Sequence, residues 1–381
     1  MTSSGQSRRI ASHFLLTPQG WLSRPIVEIA PDSTILSIGE WESLDNMAHT
    51  EFYAGVLTPG FVNAHCHLEL SYLKGAIPER CGFAEFTNII SQRRGATTIE
   101  DRVRAAEVQD QVMWREGVSA VADISNDDFT LNLKSKSAIE YHTFIEFYGL
   151  KRHDISPLKQ MLRHPRTSLT PHSLYSVQEA PLKEILSMKK NRLSIHFLES
   201  HSEKELYSRR GELWDRFQRN GFECDFLDYT SPVERLINCA PKESSPILVH
   251  NCTLTDEDLE QLLKHFTSPI YWCICPRSNS FISGLKPPIK TLRQRAQKIC
   301  IGTDSLSSNH SLSILEELKQ IEGIELAERL NWATINGAEA LGLADMLGSV
   351  EVGKRPGLVL LEGVDMTRME LTAESTSRRI I

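Results

Sequence analysis

Between residues 57 and 344 the apolar positions fall into eight short runs, near 60–67, 118–124, 142–147, 168–171, 193–197, 247–251, 270–275 and 299–303. Most are separated from the next by a stretch with helical periodicity. After the last run, Leu312, Leu315, Leu318 and Ile321 recur at the spacing of one helix face. Strands alternating with helices imply parallel βαβ units, and eight such units fit a closed (β/α)8 barrel. An open doubly wound sheet is the alternative. The lack of a Gly-rich phosphate-binding turn after the first run weighs against it. The ends of the chain read differently: 21–29, 34–38, 349–352 and 358–361 are short β-rich pieces broken by Gly and Pro, which suggests one small sheet built from both termini. Residues 373–381 show no pattern and read as a frayed end.

A chain of 381 residues is long enough for one large domain and a smaller companion. Its net charge of -7 argues against general attraction to nucleic acid or to an anionic membrane, while leaving local Arg and Lys free to hold an anionic substrate. Eight cysteines in so long a chain do not form a disulfide scaffold. Arg8-Arg9 is followed only by the short apolar stretch Phe14-Leu15-Leu16, too little for the core of an export signal. No apolar stretch is long enough to span a bilayer. The expected setting is the cytoplasm.

The chemistry-bearing side chains stand at the ends of the apolar runs. His65 and His67 close the first, His172 follows the fourth, His196 ends the fifth with Glu199 just beyond, His250 ends the sixth, and Asp304 follows the eighth. Barrel active sites lie at the carboxyl ends of the strands, so these segments are expected to converge on one mouth. In His65-Cys66-His67 the alternation of strand side chains points both imidazoles the same way and Cys66 into the wall. Two neutral imidazoles are half a zinc site; His196 and Asp304 add a third nitrogen and a carboxylate and leave room for a water. Each residue has a plainer reading alone: Asp304 as a helix N-cap, His196 as a core histidine, Glu199 as a solvated loop carboxylate. Together they read as metal ligands, with Glu199 as general acid/base and His250 as the ring orienting the attacking water. His172 reads equally well as a substrate contact and as loop packing. Competing signatures are missing: there is no His-Glu-x-x-His, no Pro-Cys-x-x-Cys and no Gly-x-Ser-x-Gly. Cys273-Ile274-Cys275 has strand spacing and reads as wall packing.

The run Leu57-Thr58-Pro59-Gly60-Phe61-Val62-Asn63-Ala64-His65-Cys66-His67 resembles the first-strand signature of the amidohydrolase superfamily. Cys275-Pro276-Arg277-Ser278-Asn279, Gly302-Thr303-Asp304-Ser305 and Gly348-Ser349-Val350-Glu351-Val352-Gly353-Lys354 are similar to later segments of its deaminase and chlorohydrolase branch, which includes S-adenosylhomocysteine, guanine and aminofutalosine deaminases. The resemblance covers about 57–361. It implies one divalent metal ion, zinc first and iron in some relatives, held by His65, His67, His196 and Asp304 with no bridging lysine. It also implies Glu199 as proton shuttle, and His250 and Asp304 beside the attacking water. The implied reaction is hydrolytic deamination of an aminated heterocycle, a purine-like base or nucleoside. Within the branch, His65-Cys66-His67-Leu68-Glu69-Leu70-Ser71 is most similar to aminofutalosine deaminase-like members, which carry a Glu soon after the second His. Expulsion of chloride or cleavage of a cyclic amide on the same scaffold is the alternative. A non-catalytic binding protein is a remote one, since it predicts gaps in a constellation that has none. Arg355-Pro356-Gly357 departs from the branch, where Ala-Asp is common before the last strand. Glu69, His172 and Arg277 are the candidate substrate contacts: an acceptor, a switchable ring and a permanent cation. The expected architecture is α/β, a (β/α)8 TIM barrel over 57–344 with a small β-sandwich domain made from 1–56 plus 345–381. The expected partner is a small-molecule substrate, with no nucleic acid and no membrane; homo-oligomerisation is left open.

Overall fold

The computed structural model describes residues 6–42, 47–295 and 297–381. Strands β1 (Arg8–Thr17), β2 (Gly20–Ser23), β3 (Pro25–Ile29), β4 (Ile35–Glu40) and β5 (Thr50–Pro59) come first. Eight strands follow: β6 (Phe61–Cys66), β7 (Val118–Ser125), β8 (Glu140–Phe147), β9 (Thr167–Pro171), β10 (Ser194–Phe197), β11 (Ile247–His250), β12 (Tyr271–Ile274) and β13 (Lys298–Ile301). The chain then closes with β14 (Leu358–Glu362) and β15 (Thr376–Arg379).

The eight middle strands coincide with the eight apolar runs. They are parallel and form two four-stranded sheets, β6-β7-β8-β9 and β10-β11-β12-β13. The sheets meet at both edges through parallel bridges, Cys66 with Asp304 and Ser173 with His196. Every residue of β6, β7, β10 and β11 is buried, as expected of parallel strands covered on both faces. Helices separate the strands; the longest, Ile99–Arg115, begins at Thr98, whose side chain accepts from the Asp101 N–H. Gly302, just past β13, has no room for a side chain. A Cβ there would lie 2.8 Å from both Cys273 Sγ and His65 Cβ. The glycine lets the eighth strand run against His65 and carry Asp304 to its side.

The two ends of the chain share one seven-stranded sheet, ordered β15-β14-β5-β1-β3-β4 with β2 paired to β1. Four expectations are corrected here. The piece 21–29 is two strands, broken where Arg24 takes the left-handed conformation at φ 50°. The piece 349–352 is not a strand, because Gly348 and Gly353, at φ 84° and 89°, turn the chain on both sides of it. The tail is not frayed: β15 pairs antiparallel with β14, and Arg379 donates to the Trp114 and Val118 carbonyls and to Ser119 Oγ. The expected helix over 312–321 is a single short turn, Ile314–Leu318. All eight cysteines are free, and among the described residues no helix is long and apolar enough to cross a membrane.

Candidate active site

The carboxyl ends of the eight strands bring together His65, His67, His172, His196, Glu199, His250 and Asp304. His67, His172, His196, Glu199, His250 and Asp304 line one cavity of about 500 Å³, a volume in the usual range for small-ligand sites. His65 lies buried beneath it, its ring edge-on to those of His67 and His196. His65, His196, His250 and Asp304 each offer a donor atom within 4.8 Å of the others. His67 joins them, with Nε2 3.2 Å from His196 Nε2 and 3.4 Å from Asp304 Oδ1.

The backbone leaves the strands in uncommon conformations at this point. Leu198, His250, Asn251 and Asp304 all have positive φ, between 51° and 76°. Non-glycine residues adopt that region at a cost that the surrounding structure must offset. Here the offsetting contacts are visible. The Glu203 carboxylate accepts from the Leu198 N–H at 3.0 Å and the Glu199 N–H at 2.6 Å, while capping the helix His201–Tyr207. The Asn251 N–H donates to the Phe197 carbonyl at 2.9 Å, and the Asp304 N–H to the His65 carbonyl at 3.1 Å.

Hydrogen bonds then set which lone pairs face inward. His196 Nδ1 donates to the His172 carbonyl at 2.9 Å, which leaves its Nε2 lone pair directed at the cluster. His250 Nδ1 donates to Asn279 Oδ1 at 2.8 Å, leaving Nε2 bare and 3.8 Å from Glu199 Oε1. Asp304 Oδ2 accepts from Ser278 Oγ at 2.7 Å and Ser308 Oγ at 2.5 Å, while Oδ1 faces the imidazoles of His65 and His67. Both nitrogens of His65, Nδ1 of His67 and Nε2 of His250 are buried and, among the described residues, have no hydrogen-bond partner. An unsatisfied buried polar group costs about 1–3 kcal/mol. Such a cluster is costly by itself and suited to a cation that its lone pairs would hold.

Burial keeps the rings neutral, the form that ligates metal. It lowers the pKa of His65 and, together with the repulsion that a second protonated ring beside His65 would meet, takes His67 down to about 3. Burial alone would raise Asp304, but the imidazoles of His65, His67 and His250 hold it well below the usual carboxylate range. Glu199 behaves oppositely: burial, then the Asp304 charge, push it up to about 8. A carboxyl poised near neutrality can both take and return a proton.

The sequence did not single out Glu146, on β8. Its Oε1 accepts from His172 Nδ1 at 2.7 Å and its Oε2 from Asn126 Nδ2 at 2.7 Å. Against the burial of both groups, their proximity keeps Glu146 ionised and draws the His172 pKa upward. The available signal was a lone acid in the apolar run Thr143–Phe147. Asn279 and Ser278, which hold His250 and Asp304, sit in a quoted motif without an assigned role. Of the three candidate substrate contacts, only His172 lines the cavity. Glu69 is buried in the turn Leu68–Leu73, where Oε2 accepts from the Asn126 N–H at 2.9 Å and Oε1 lies 4.0 Å from Arg94, a cavity residue. Arg277 Nη1 donates to Ser311 Oγ at 2.8 Å, away from the cavity wall.

These features define a metal-hydrolase type of centre on an α/β scaffold. The amidohydrolase family profile matches residues 56–379, and the chain belongs to that family. Within it the chain lies in the deaminase branch, among enzymes that hydrolyse C–N bonds. It is 28% identical to the adenosine deaminase of Helicobacter pylori over 86% of this chain and 85% of that protein. It is 26% identical to the aminodeoxyfutalosine deaminase of a Nitratiruptor species over 93% and 91% of the two chains. Among solved structures, the H. pylori aminofutalosine deaminase in complex with methylthio-coformycin superposes with a TM-score of 0.78 at 26% identity, covering 96% of this chain and 93% of that one.

Proposed function

We propose that this protein is a metal-dependent hydrolase that deaminates an adenine nucleoside, releasing ammonia. The observation that carries the reading is the convergence of unsatisfied imidazole nitrogens and one carboxylate at the base of a cavity whose wall holds Glu199 and His250. The adenosine and aminodeoxyfutalosine deaminases to which the chain is similar support the choice of an adenine nucleoside. We read the two four-stranded sheets as halves of one (β/α)8 barrel spanning 57–344, which the bridges at both sheet edges support. We read 1–56 plus 345–381 as a small β-sandwich domain, although the strands described there form a single sheet.

His65, His67, His196 and Asp304 are the proposed ligands of one divalent cation. Three nitrogens and a carboxylate suit zinc and leave a position for water. A cation held there supplies Lewis-acid activation of a water molecule near neutral pH. Glu199 takes the proton of the attacking water and returns it to the ring nitrogen next to the carbon under attack. His250, its Nε2 free of a proton and its Nδ1 held by Asn279, accepts a hydrogen bond from that water and fixes its approach. Addition at the amino-bearing carbon leaves one proton on the added oxygen; Glu199, ionised again after protonating the ring nitrogen, takes that proton and passes it to the amino group, so that the C–N bond breaks, the C=O bond forms and ammonia leaves. His172, held by Glu146, presents Nε2 to the nucleoside.

The test is metal removal and return. Dialysis against a chelator should abolish ammonia release from adenosine and 5′-substituted adenosines. One equivalent of zinc per chain should restore it. Full turnover by metal-free protein, or a requirement for two equivalents, would contradict this reading.

A further inference from the structure

Asp304 turns one oxygen to the cluster and the other to two serines. Oδ1 lies 3.6 Å from His65 Nε2 and 3.4 Å from His67 Nε2, while Oδ2 accepts from Ser278 Oγ at 2.7 Å and Ser308 Oγ at 2.5 Å. The serines belong to different segments. Ser278 is in the helix Pro276–Ile282 after β12, and Ser308 is in the stretch 305–313 after β13, which forms neither helix nor strand. A serine hydroxyl turns about a single bond, so its aim depends on how firmly its backbone is held. Glu317, in the short helix Ile314–Leu318, holds both segments. It is fully buried and does not line the cavity. Its Oε2 accepts from the Arg277 N–H at 2.9 Å, one residue before Ser278, and its Oε1 from Asn309 Nδ2 at 2.7 Å, one residue after Ser308. Asn309 is tied further: Nδ2 also donates to the Thr303 carbonyl at 3.0 Å, and Oδ1 accepts from the His310 N–H at 2.8 Å. One carboxyl group thus grips the neighbour of each serine and, through Asn309, the neighbour of Asp304.

We infer that Glu317 is a positioning residue for the metal centre, which braces Arg277 and Asn309 so that the Ser278 and Ser308 hydroxyls stay on Asp304 Oδ2 and Oδ1 is left facing the histidines. This rests on Asp304 as a proposed ligand of the cation. A carboxylate free to turn about its Cβ–Cγ bond presents either oxygen to the cluster; two hydroxyl donors on one oxygen select the other. Joining the two segments takes a side chain that accepts at both of its ends. Glutamine has the same shape but one acceptor, so however its amide turns, the N–H of Arg277 or of Asn309 meets another N–H. Turning the Asn309 amide to match would break its bonds to Thr303 and His310. Aspartate keeps the charge but is one carbon short of spanning both arms. Arg277, whose side chain is turned away from the cavity, enters this network through its backbone.

Zinc affinity tests this, measured on the full metal-free chain by titration against a competing chelator, in a double-mutant cycle. Glu317→Gln and Glu317→Asp should each weaken zinc binding by about 10–100-fold, the usual effect of losing a partner that orients a ligand. In a protein carrying Ser278→Ala and Ser308→Ala, itself weakened, either change should cost about twofold or less, because the hydroxyls that Glu317 positions are gone. Thermal unfolding of the metal-free proteins shows which variants fold, and either Glu317 variant alone completes the cycle. Asp304→Ala is the control and should lose zinc. Unchanged affinity in a folded Glu317 variant, with zinc lost from Asp304→Ala, would overturn the inference and leave the ligand reading standing. So would equal weakening with and without the serines, the behaviour of a residue that only packs its helix. An Asp304→Ala protein that binds zinc as tightly as the unaltered one would overturn the ligand reading and this inference with it.

Discussion

Glu199→Gln should retain its metal and its fold while kcat for the best nucleoside substrate falls by about 10²–10⁴-fold, the usual range for general acid–base catalysis. The reasoning starts from the backbone. Leu198 leaves β10 at φ 51°, and Glu203 holds the Leu198 and Glu199 N–H groups, so the Glu199 side chain is aimed into the cavity by a braced turn. Its carboxyl is buried, pushed up to about 8 by that burial and by the Asp304 charge, and lies 3.8 Å from His250 Nε2. Glutamine keeps the shape and hydrogen-bonding reach but neither accepts nor returns a proton. Metal analysis alongside steady-state kinetics checks both halves of the expectation. A fully active Glu199→Gln protein would remove the residue from the mechanism, and loss of metal would recast it as a ligand.

His67→Ala should lose metal and activity together. His67 Nε2 is directed at His196 Nε2 and Asp304 Oδ1, and among the described residues its Nδ1 has no partner. Removing it takes away one of four proposed donors and leaves the Asp304 carboxylate with one fewer compensating neighbour. Loss of an outer-shell partner typically weakens metal binding by about 10–100-fold, and loss of a ligand should exceed that. Titration with a competing chelator measures the affinity directly. High-affinity metal binding by His67→Ala would shift the ligand set to His65, His196, His250 and Asp304, whose donor atoms also lie within 4.8 Å of one another.

The two halves of the site were unequally legible in the sequence. The strands were visible because parallel strands buried on both faces are uninterrupted apolar runs, and the histidines and Asp304 stood where those runs stop. β1 was not visible: Arg8, Arg9, Ser12 and His13 break its apolar pattern, and it is a strand through pairing with β3 and β5. β15 likewise owes its order to β14 and to Arg379, which donates to the Trp114 carbonyl. The supporting shell was hidden for a similar reason. Glu146 reaches His172 across 26 residues and Asn279 reaches His250 across 29. No local spacing encodes such contacts. Glu69 shows the converse error of proximity: two residues after His67, it was expected at the mouth, but the tight turn Leu68–Leu73 folds it behind Arg94.

Deamination by water at the purine ring is the central claim, and one measurement addresses it without intermediaries. Metal-loaded protein is incubated with a 5′-substituted adenosine in ¹⁸O-enriched water, and the products are weighed by mass spectrometry. The account predicts one equivalent of ammonia and a hypoxanthine nucleoside carrying a single ¹⁸O on the ring carbon that bore the amino group, with the glycosidic bond intact. Free adenine, or recovery of unchanged nucleoside from protein with a full complement of metal, would contradict it.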